Sequence, residues 1–291
     1  MIKVIELPID KDMGGLTSYV LQLYRMIDKK EFELTLLSYD DPQNFDVNYK
    51  VETVSRPYHI IQFYKKMKCL LSEGKDIIHF HQSYVNIIPI LIAKLAGFKT
   101  IILHAHSSSI DDNRRIVRFL KTGLHKVGRF LLPYLVDIYI GCSTKASEWM
   151  FPRKCIDSDS YYLLHNAIDL DLYDRNINLG LEIRQKFNIP KDALVVGHIG
   201  RFTPVKNHPF IIDIFKEVLK QNPNSYLFLL GDGVERHKVE SLVKLAAISD
   251  KVIFMGYVNN TVEVMQAIDI MILPSLFEGL PLIAIESQAL G

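Results

Sequence analysis

Glu278 and Glu286 stand eight residues apart in the segment Pro274-Ser275-Leu276-Phe277-Glu278-Gly279-Leu280-Pro281-Leu282-Ile283-Ala284-Ile285-Glu286. An apolar run precedes them, Gly279 permits close backbone approach to a ligand, and Pro281 pre-sets a first helical turn. Free N–H groups and the helix dipole at such a turn make an anion site. Eight helical residues span about 12 Å. Two carboxylates so spaced cannot share one proton, but they can grip opposite ends of a long ligand, such as a sugar and a ribose. The competing reading is a solvated carboxylate and a helix cap.

A second segment, Gly200-Arg201-Phe202-Thr203-Pro204-Val205-Lys206-Asn207, sets two cations between a strand end and a helix start. Arginine offers a bidentate fork and lysine a point charge, which together suit a diphosphate. The alternative is a pair of ordinary loop cations. His79, His81, His104 and His106 form two His-x-His pairs near strand ends. Each pair suggests a metal only if its strand continues, and no third or fourth ligand is evident, so no metal is expected. Asp157-Ser158-Asp159 and Asp169-Leu170-Asp171 have the spacing of a divalent-ion triplet; in a polar loop and a turn they read as chance.

These residues need a scaffold, and short apolar runs alternating with helical patterns supply one. Strands are predicted at Ile2–Leu7, Phe32–Tyr39, Val51–Val54, Ile77–Phe80, Thr100–Leu103, Ile138–Gly141 and Tyr161–Leu164, with helices near 58–73, 84–96, 113–132 and 144–151. A more polar connector, 166–192, holds a short helix near Leu181–Phe187. Further strands follow at Leu194–Ile199, Tyr226–Leu230, Val252–Met255 and Ile270–Leu273, with a helix from Asn207 to Gln221 and another beginning near Pro281. This alternation predicts an α/β protein with two doubly wound Rossmann-like domains, residues 1–165 and 193–291, facing across a cleft with ligands at the carboxyl ends of the strands.

In combination the motifs resemble the family 4 retaining glycosyltransferases of the GT-B fold, especially the bacterial exopolysaccharide and capsular polysaccharide type. The markers are Gly14-Gly15 after the first strand, His104-Ala105-His106-Ser107, Asp137 to Ser143, Asn166-Ala167-Ile168-Asp169 in place of Asn-Gly-Ile-Asp, Gly200-Arg201 with Lys206-Asn207, Gly231-Asp232-Gly233, and Glu278 to Glu286 as the Glu-x7-Glu motif. The resemblance implies that Arg201 and Lys206 bind the nucleotide diphosphate and stabilise its charge as the sugar bond breaks. It assigns Glu278 to the donor sugar, Glu286 to the ribose hydroxyls, and the Gly279 and Leu280 N–H groups to sugar or phosphate. Gly14, Gly15 and Gly200 border the donor, and His106, with His104 as alternate, is the functional histidine of the acceptor side. The implied reaction retains the anomeric configuration by same-face attack, with no protein nucleophile and no tightly bound cofactor.

Composition narrows the partners. Lys plus Arg is 34 against 33 acids, so no global field favours nucleic acid. The three cysteines have no CxxC spacing, which fits a reduced, cytoplasmic protein. The N-terminus is too short and too charged for a signal peptide, and no apolar run reaches the roughly 18 residues of a membrane span. The segment 113–135 instead interleaves Arg114, Arg115, Arg118, Lys121, Lys126 and Arg129 with apolar residues. A basic amphipathic helix of this kind can lie on an anionic membrane, or can be a solvated face over a buried apolar stripe.

The expected activity is transfer of a hexose-type sugar from a nucleotide-diphosphate sugar, with UDP favoured over GDP or ADP, to a lipid-linked saccharide at the inner face of the plasma membrane. The rivals are another GT-B reaction, such as epimerisation or phosphorolysis, and a non-catalytic glycosyltransferase-like subunit. Family members continue past the position of Gly291, so an incomplete second domain with an exposed apolar sheet edge and reduced stability is expected.

Overall fold

The computed structural model describes residues 1–9, 14–41, 49–112, 114–258 and 260–291. They divide into two compact units, Met1–Asn166 with Phe277–Pro281, and Ala167–Leu276 with Leu282–Gly291.

The first unit holds a seven-stranded sheet of β1 (Ile2–Ile9), β2 (Phe32–Ser38), β3 (Val51–Thr53), β4 (Ile77–Gln82), β5 (Thr100–Ala105), β6 (Ile138–Gly141) and β7 (Tyr161–Leu163). The order is β3-β2-β1-β4-β5-β6-β7 and every pair is parallel. Parallel strands are covered on both faces and read as continuous apolar runs; Val4 to Leu7 of β1 are accordingly all buried. The covering helices are α1 (Gly15–Met26), α2 (Ile60–Ser72), α3 (Ile87–Ala96), α4 (Arg115–Leu131), α5 (Thr144–Met150) and α6 (Arg153–Ile156). Phe63, Met67 and Leu70 of α2 pack with Ile90 and Ala93 of α3 against Ile5, Ile78, Phe80 and Ile101 of the sheet. Helix α3 starts where the Asn86 side chain accepts from Ile88 N–H and ends at Gly97, whose φ of 105° closes the turn in the left-handed region.

The second unit begins with α7 (Ile177–Lys186), followed by β8 (Leu194–Ile199), α8 (His208–Gln221), β9 (Ser225–Leu230), α9 (Arg236–Leu245), β10 (Val252–Gly256), α10 (Thr261–Met265), β11 (Ile270–Met271) and α11 (Leu282–Ala289). Its parallel sheet has the order β10-β9-β8-β11. Val196, Leu227 and Leu229 pack against Ile211, Ile212 and Phe215 of α8 and Val239 and Val243 of α9. At the sheet edge, Ile270 of β11 is half-exposed.

Two boundaries differ from expectation. Residues 167–192 are part of the second unit, not a connector. Arg184 of α7 bonds Asp269 at 2.6 Å and donates to the carbonyls of Ala267, Lys191 and Ala193, so the polar composition of this stretch is spent inside the unit. Gly180 packs so tightly on Gln266 that a Cβ would stand 2.3 Å from its carbonyl oxygen. Conversely, residues 277–281 belong to the first unit, so Glu278 and Glu286 fall in different units.

Helix α4 also departs from the picture of a buried apolar stripe. Only His125 and Gly128 are buried along it. A Cβ at Gly128 would stand 2.4 Å from Val85 Cγ1, and His125 Nδ1 accepts from Val85 N–H at 3.0 Å while its ring stacks on Trp149. Docking through these two positions, with Leu124 and Leu131 packed on the core beside them, leaves Ile116, Phe119, Leu120, Val127 and Phe130 outward. Residue 113, the expected start of this helix, lies outside the described residues.

Candidate active site

In each unit the strand order reverses at one point, and ligands of doubly wound sheets bind beyond the carboxyl ends of the strands there. In the first unit the point lies between β1 and β4, and the residues converging on it are Glu6, His79, His81, His104 and His106. Register explains why. Glu6 pairs with His79, and His81 pairs with His104. The strands extend past the predicted Phe80 and Leu103 to Gln82 and Ala105, so alternate residues keep one face. The absent third partner of the His-x-His pairs is thus supplied: one ring nitrogen each of His79, His81 and His104 falls within 4.8 Å of the others.

Those nitrogens are close enough to share a cation, yet hydrogen bonding claims His81. Its Nε2 lies 2.6 Å from Glu6 Oε2 and its Nδ1 lies 2.8 Å from His106 Nε2. His79 Nδ1 reaches the same Glu6 oxygen at 3.0 Å. The Tyr19 ring of α1 covers the cluster, edge-on to His104 and tilted against His106 at 5.1 Å. Burial alone would raise the Glu6 pKa, but the charge and hydrogen bonds of His79 and His81 outweigh it and hold the carboxyl well below the usual range. Burial, aided by the charge of His79, lowers His81 to about 4 against the pull of Glu6. Burial and neighbouring rings likewise hold His104 and His106 well below the ordinary histidine value. Gly14 precedes α1 and Gly15 begins it, one turn from Tyr19, with open space around Gly15.

Segment 277–281 lies against this unit through three successive carbonyls. Ser108 Oγ donates to Glu278 O at 2.7 Å, Ser143 Oγ to Gly279 O at 2.8 Å, and Asn166 Nδ2 to Leu280 O at 2.6 Å. Ser143 also caps α5 by accepting from Ala146 N–H. A Cβ at Gly279 would collide with the His106 carbonyl. The Glu278 loop and His106 are therefore neighbours within one unit. The Leu280 N–H bonds the Cys142 thiol, whose pKa burial pushes up to about 11 against this bond and that of Ser143. Sequence reasoning passed over Ser108, Ser143 and Asn166 as functional residues, although all three sit in or beside the motifs it quoted.

In the second unit the reversal lies between β8 and β11, and Gly200 follows β8 there. Gly200 N–H donates to Leu230 O, and a Cβ at Gly200 would press on Lys206 Cε at 3.2 Å, so the lysine stem crosses the glycine. Arg201 is exposed and Phe202, beside it, is fully buried, which anchors the loop. The loop is braced from two sides: Phe202 N–H donates to Asp232 O, and Leu276 N–H to Val205 O. Gly231, at φ 120°, would place a Cβ 2.2 Å from Gly200 O, so only glycine fits. Asn207 takes the left-handed turn between the Pro204–Lys206 turn and α8, with its side chain on Pro274 O. Arg201 and Lys206 are thus held on one short, rigid loop at a helix start.

Glu286 lies on α11, where burial raises its pKa against a hydrogen bond from Tyr173. Tyr173, at 7% exposure, is a residue the sequence did not single out. The Asp-x-Asp triplets have structural work: Asp169 Oδ1 accepts from Asp171 N–H to cap a single turn, and Asp157 pairs with Arg153.

Two all-parallel units, with basic and glycine-rich loops at the carboxyl ends of their strands, are the architecture of a GT-B glycosyltransferase. The chain belongs to the family 4 glycosyltransferases: the family model described as Glycosyltransferase Family 4 matches residues 13–172, and that described as Glycosyl transferases group 1 matches 181–291. It is 26% identical to the putative glycosyltransferase EpsF of Bacillus subtilis, over 96% of this chain and 74% of that one. It is 22% identical to an Escherichia coli UDP-Gal:alpha-D-GlcNAc-diphosphoundecaprenol alpha-1,3-galactosyltransferase, over 100% of this chain and 78% of the relative. Among solved structures, Anabaena HepE in complex with UDP and glucose aligns with a TM-score of 0.77 at 16% identity, covering 100% of this chain and 79% of that one. The protein is a glycosyltransferase.

Proposed function

We propose that this enzyme moves a hexose-type sugar from UDP to a lipid-linked saccharide in polysaccharide biosynthesis, with retention at the anomeric carbon. The observation that carries the reading is the Gly200–Asn207 loop, which fixes Arg201 and Lys206 at the strand-order reversal of the second unit. Two cations there neutralise the diphosphate as the sugar–oxygen bond lengthens, and they need no reorganisation to do so. Glu278 takes the donor sugar and Glu286, with Tyr173, the ribose. The UDP in the HepE complex and the lipid diphosphate in the name of the E. coli relative support the choice of donor and acceptor.

Helix α4 supports action at a membrane surface. Arg115, Arg118 and Lys126 are exposed beside the outward apolar row, a pairing that favours an anionic bilayer. No helix among the described residues is long and apolar enough to cross a membrane.

The test is a thermal-shift screen with UDP-, GDP- and ADP-sugars, followed by transfer to a polyprenyl-diphosphate saccharide with the product anomer read by NMR. Selective stabilisation by UDP-sugars is expected, with transfer falling about 100-fold or more in Arg201→Ala and Lys206→Ala. Normal transfer in both variants would overturn the site assignment. No turnover of any donor by the wild type would favour the non-catalytic alternative.

A further inference from the structure

The Glu6–His81–His106 chain has a direction. Glu6 Oε2, at 2% exposure, faces ring nitrogens of both His79 and His81, which makes it the acceptor, so the His81 nitrogen 2.6 Å away must carry the proton. A neutral imidazole has only one N–H, which leaves His81 Nδ1 bare. The nitrogen facing it at 2.8 Å, Nε2 of His106, must then be the donor. Applied once more to His106, the same argument strips its Nδ1.

We propose that Glu6 and His81 are positioning residues that hold His106 as its Nε2–H tautomer, with Nδ1 presented as an unprotonated acceptor. The surroundings fit. Glu6 sits on β1, His81 on β4 and His106 just beyond β5, so three adjacent strands set the spacing. His79 adds a second donor to Glu6, and the rings of His104 and Tyr19 lie 4.1 and 5.1 Å from that of His106.

The chemical consequence is selectivity for the ligand group His106 meets. A bare ring nitrogen accepts a hydrogen bond from a hydroxyl and offers no charge to a phosphate. His106 therefore engages a sugar or acceptor hydroxyl, and the diphosphate is left to Arg201 and Lys206. This last step rests on the glycosyl-transfer reading; the tautomer does not.

The experiment uses the full chain labelled with ring-15N histidine and no substrate. Long-range 1H–15N correlation spectra distinguish the two neutral tautomers and the imidazolium, and the His106→Gln variant assigns the signal. His106 should show the Nε2–H pattern at about pH 7. A Nδ1–H pattern or an imidazolium there overturns the proposal. In His81→Phe, the His106 signal should become a tautomer mixture, and kcat should fall about 10-fold or more while donor KM is retained. An unchanged His106 pattern in the folded variant also overturns it. If that variant does not fold, the wild-type spectrum decides alone. An inactive wild type with the expected pattern would sink the transfer reading and leave the relay standing.

Discussion

The α-carbon of Gly279 lies against the backbone of His106: a Cβ there would stand 2.2 Å from the His106 carbonyl oxygen and 2.9 Å from Cys142 Sγ. Neither obstacle is the flexible end of a long side chain, so an added methyl must move the loop. Gly279→Ala is expected to cost about 1–3 kcal/mol by overpacking and to lower transfer about 100-fold by displacing Glu278. A melting curve and a transfer assay check both; wild-type activity in the variant would mean that the loop position is immaterial.

Helix α4 yields a prediction that separates membrane affinity from folding. Phe119 and Phe130 are 77% and 74% exposed, so replacing them removes no core contact. Phe119→Asp and Phe130→Asp should each leave stability within about 0.5 kcal/mol while weakening cosedimentation with anionic vesicles. Salt should weaken wild-type binding too. Equal, salt-insensitive binding to neutral and anionic vesicles would dismiss the membrane role.

Arg184 tests the assignment of 167–192 to the second unit. Its guanidinium bonds one carboxylate and three carbonyls. Arg184→Ala leaves those acceptors unmatched and should cost about 3 kcal/mol, the low end for a broken buried pair because Asp269 is partly exposed. A true linker residue would cost almost nothing, so denaturant unfolding distinguishes the two.

The buried histidines set an acid limit on stability. Burial lowers His81 and His125 to about 4 and His208 to about 3, and holds His104 and His106 well below their usual value of 6.5. Below pH 6.5 the unfolded chain takes up protons that the native state refuses, so stability falls as pH drops from there toward about 4. Glu6, with its lowered pKa, acts in the same sense below 4.5, because the unfolded carboxyl protonates first. The melting temperature should hold from about pH 8 to 6.5 and decline steadily by about pH 5. No decline over that interval would contradict the neutral, buried state of these rings.

Much of this fold is legible in the chain because parallel strands announce themselves as apolar runs between turn residues; β6 and β8 match their predicted limits. Helix α9 was missed since its sequence, Arg236 to Leu245, is mostly polar and buries only Val239 and Val243. The connector was misread for a similar reason: Arg184 and Asn176 look like surface residues until their partners, Asp269 and Gln266, arrive from far along the chain. At the site, Arg201, Lys206, His106 and Glu278 were visible as motif residues. Glu6 was not, because a single acid in a short apolar strand carries no local signal. Its meaning lies in register, and a charge in β1 opposite His-x-His in β4 is the clue that was there to take.

That register couples three positions, Glu6, His79 and His81. Removing Glu6 alone strands two ring N–H groups in the core, while removing His79 and His81 takes both of these donors from a buried carboxylate oxygen. Each single change is costlier than its share, so the effects of combined changes cannot add up from the parts. A change at any one of the three is therefore expected to need compensation at the others before the core is satisfied again.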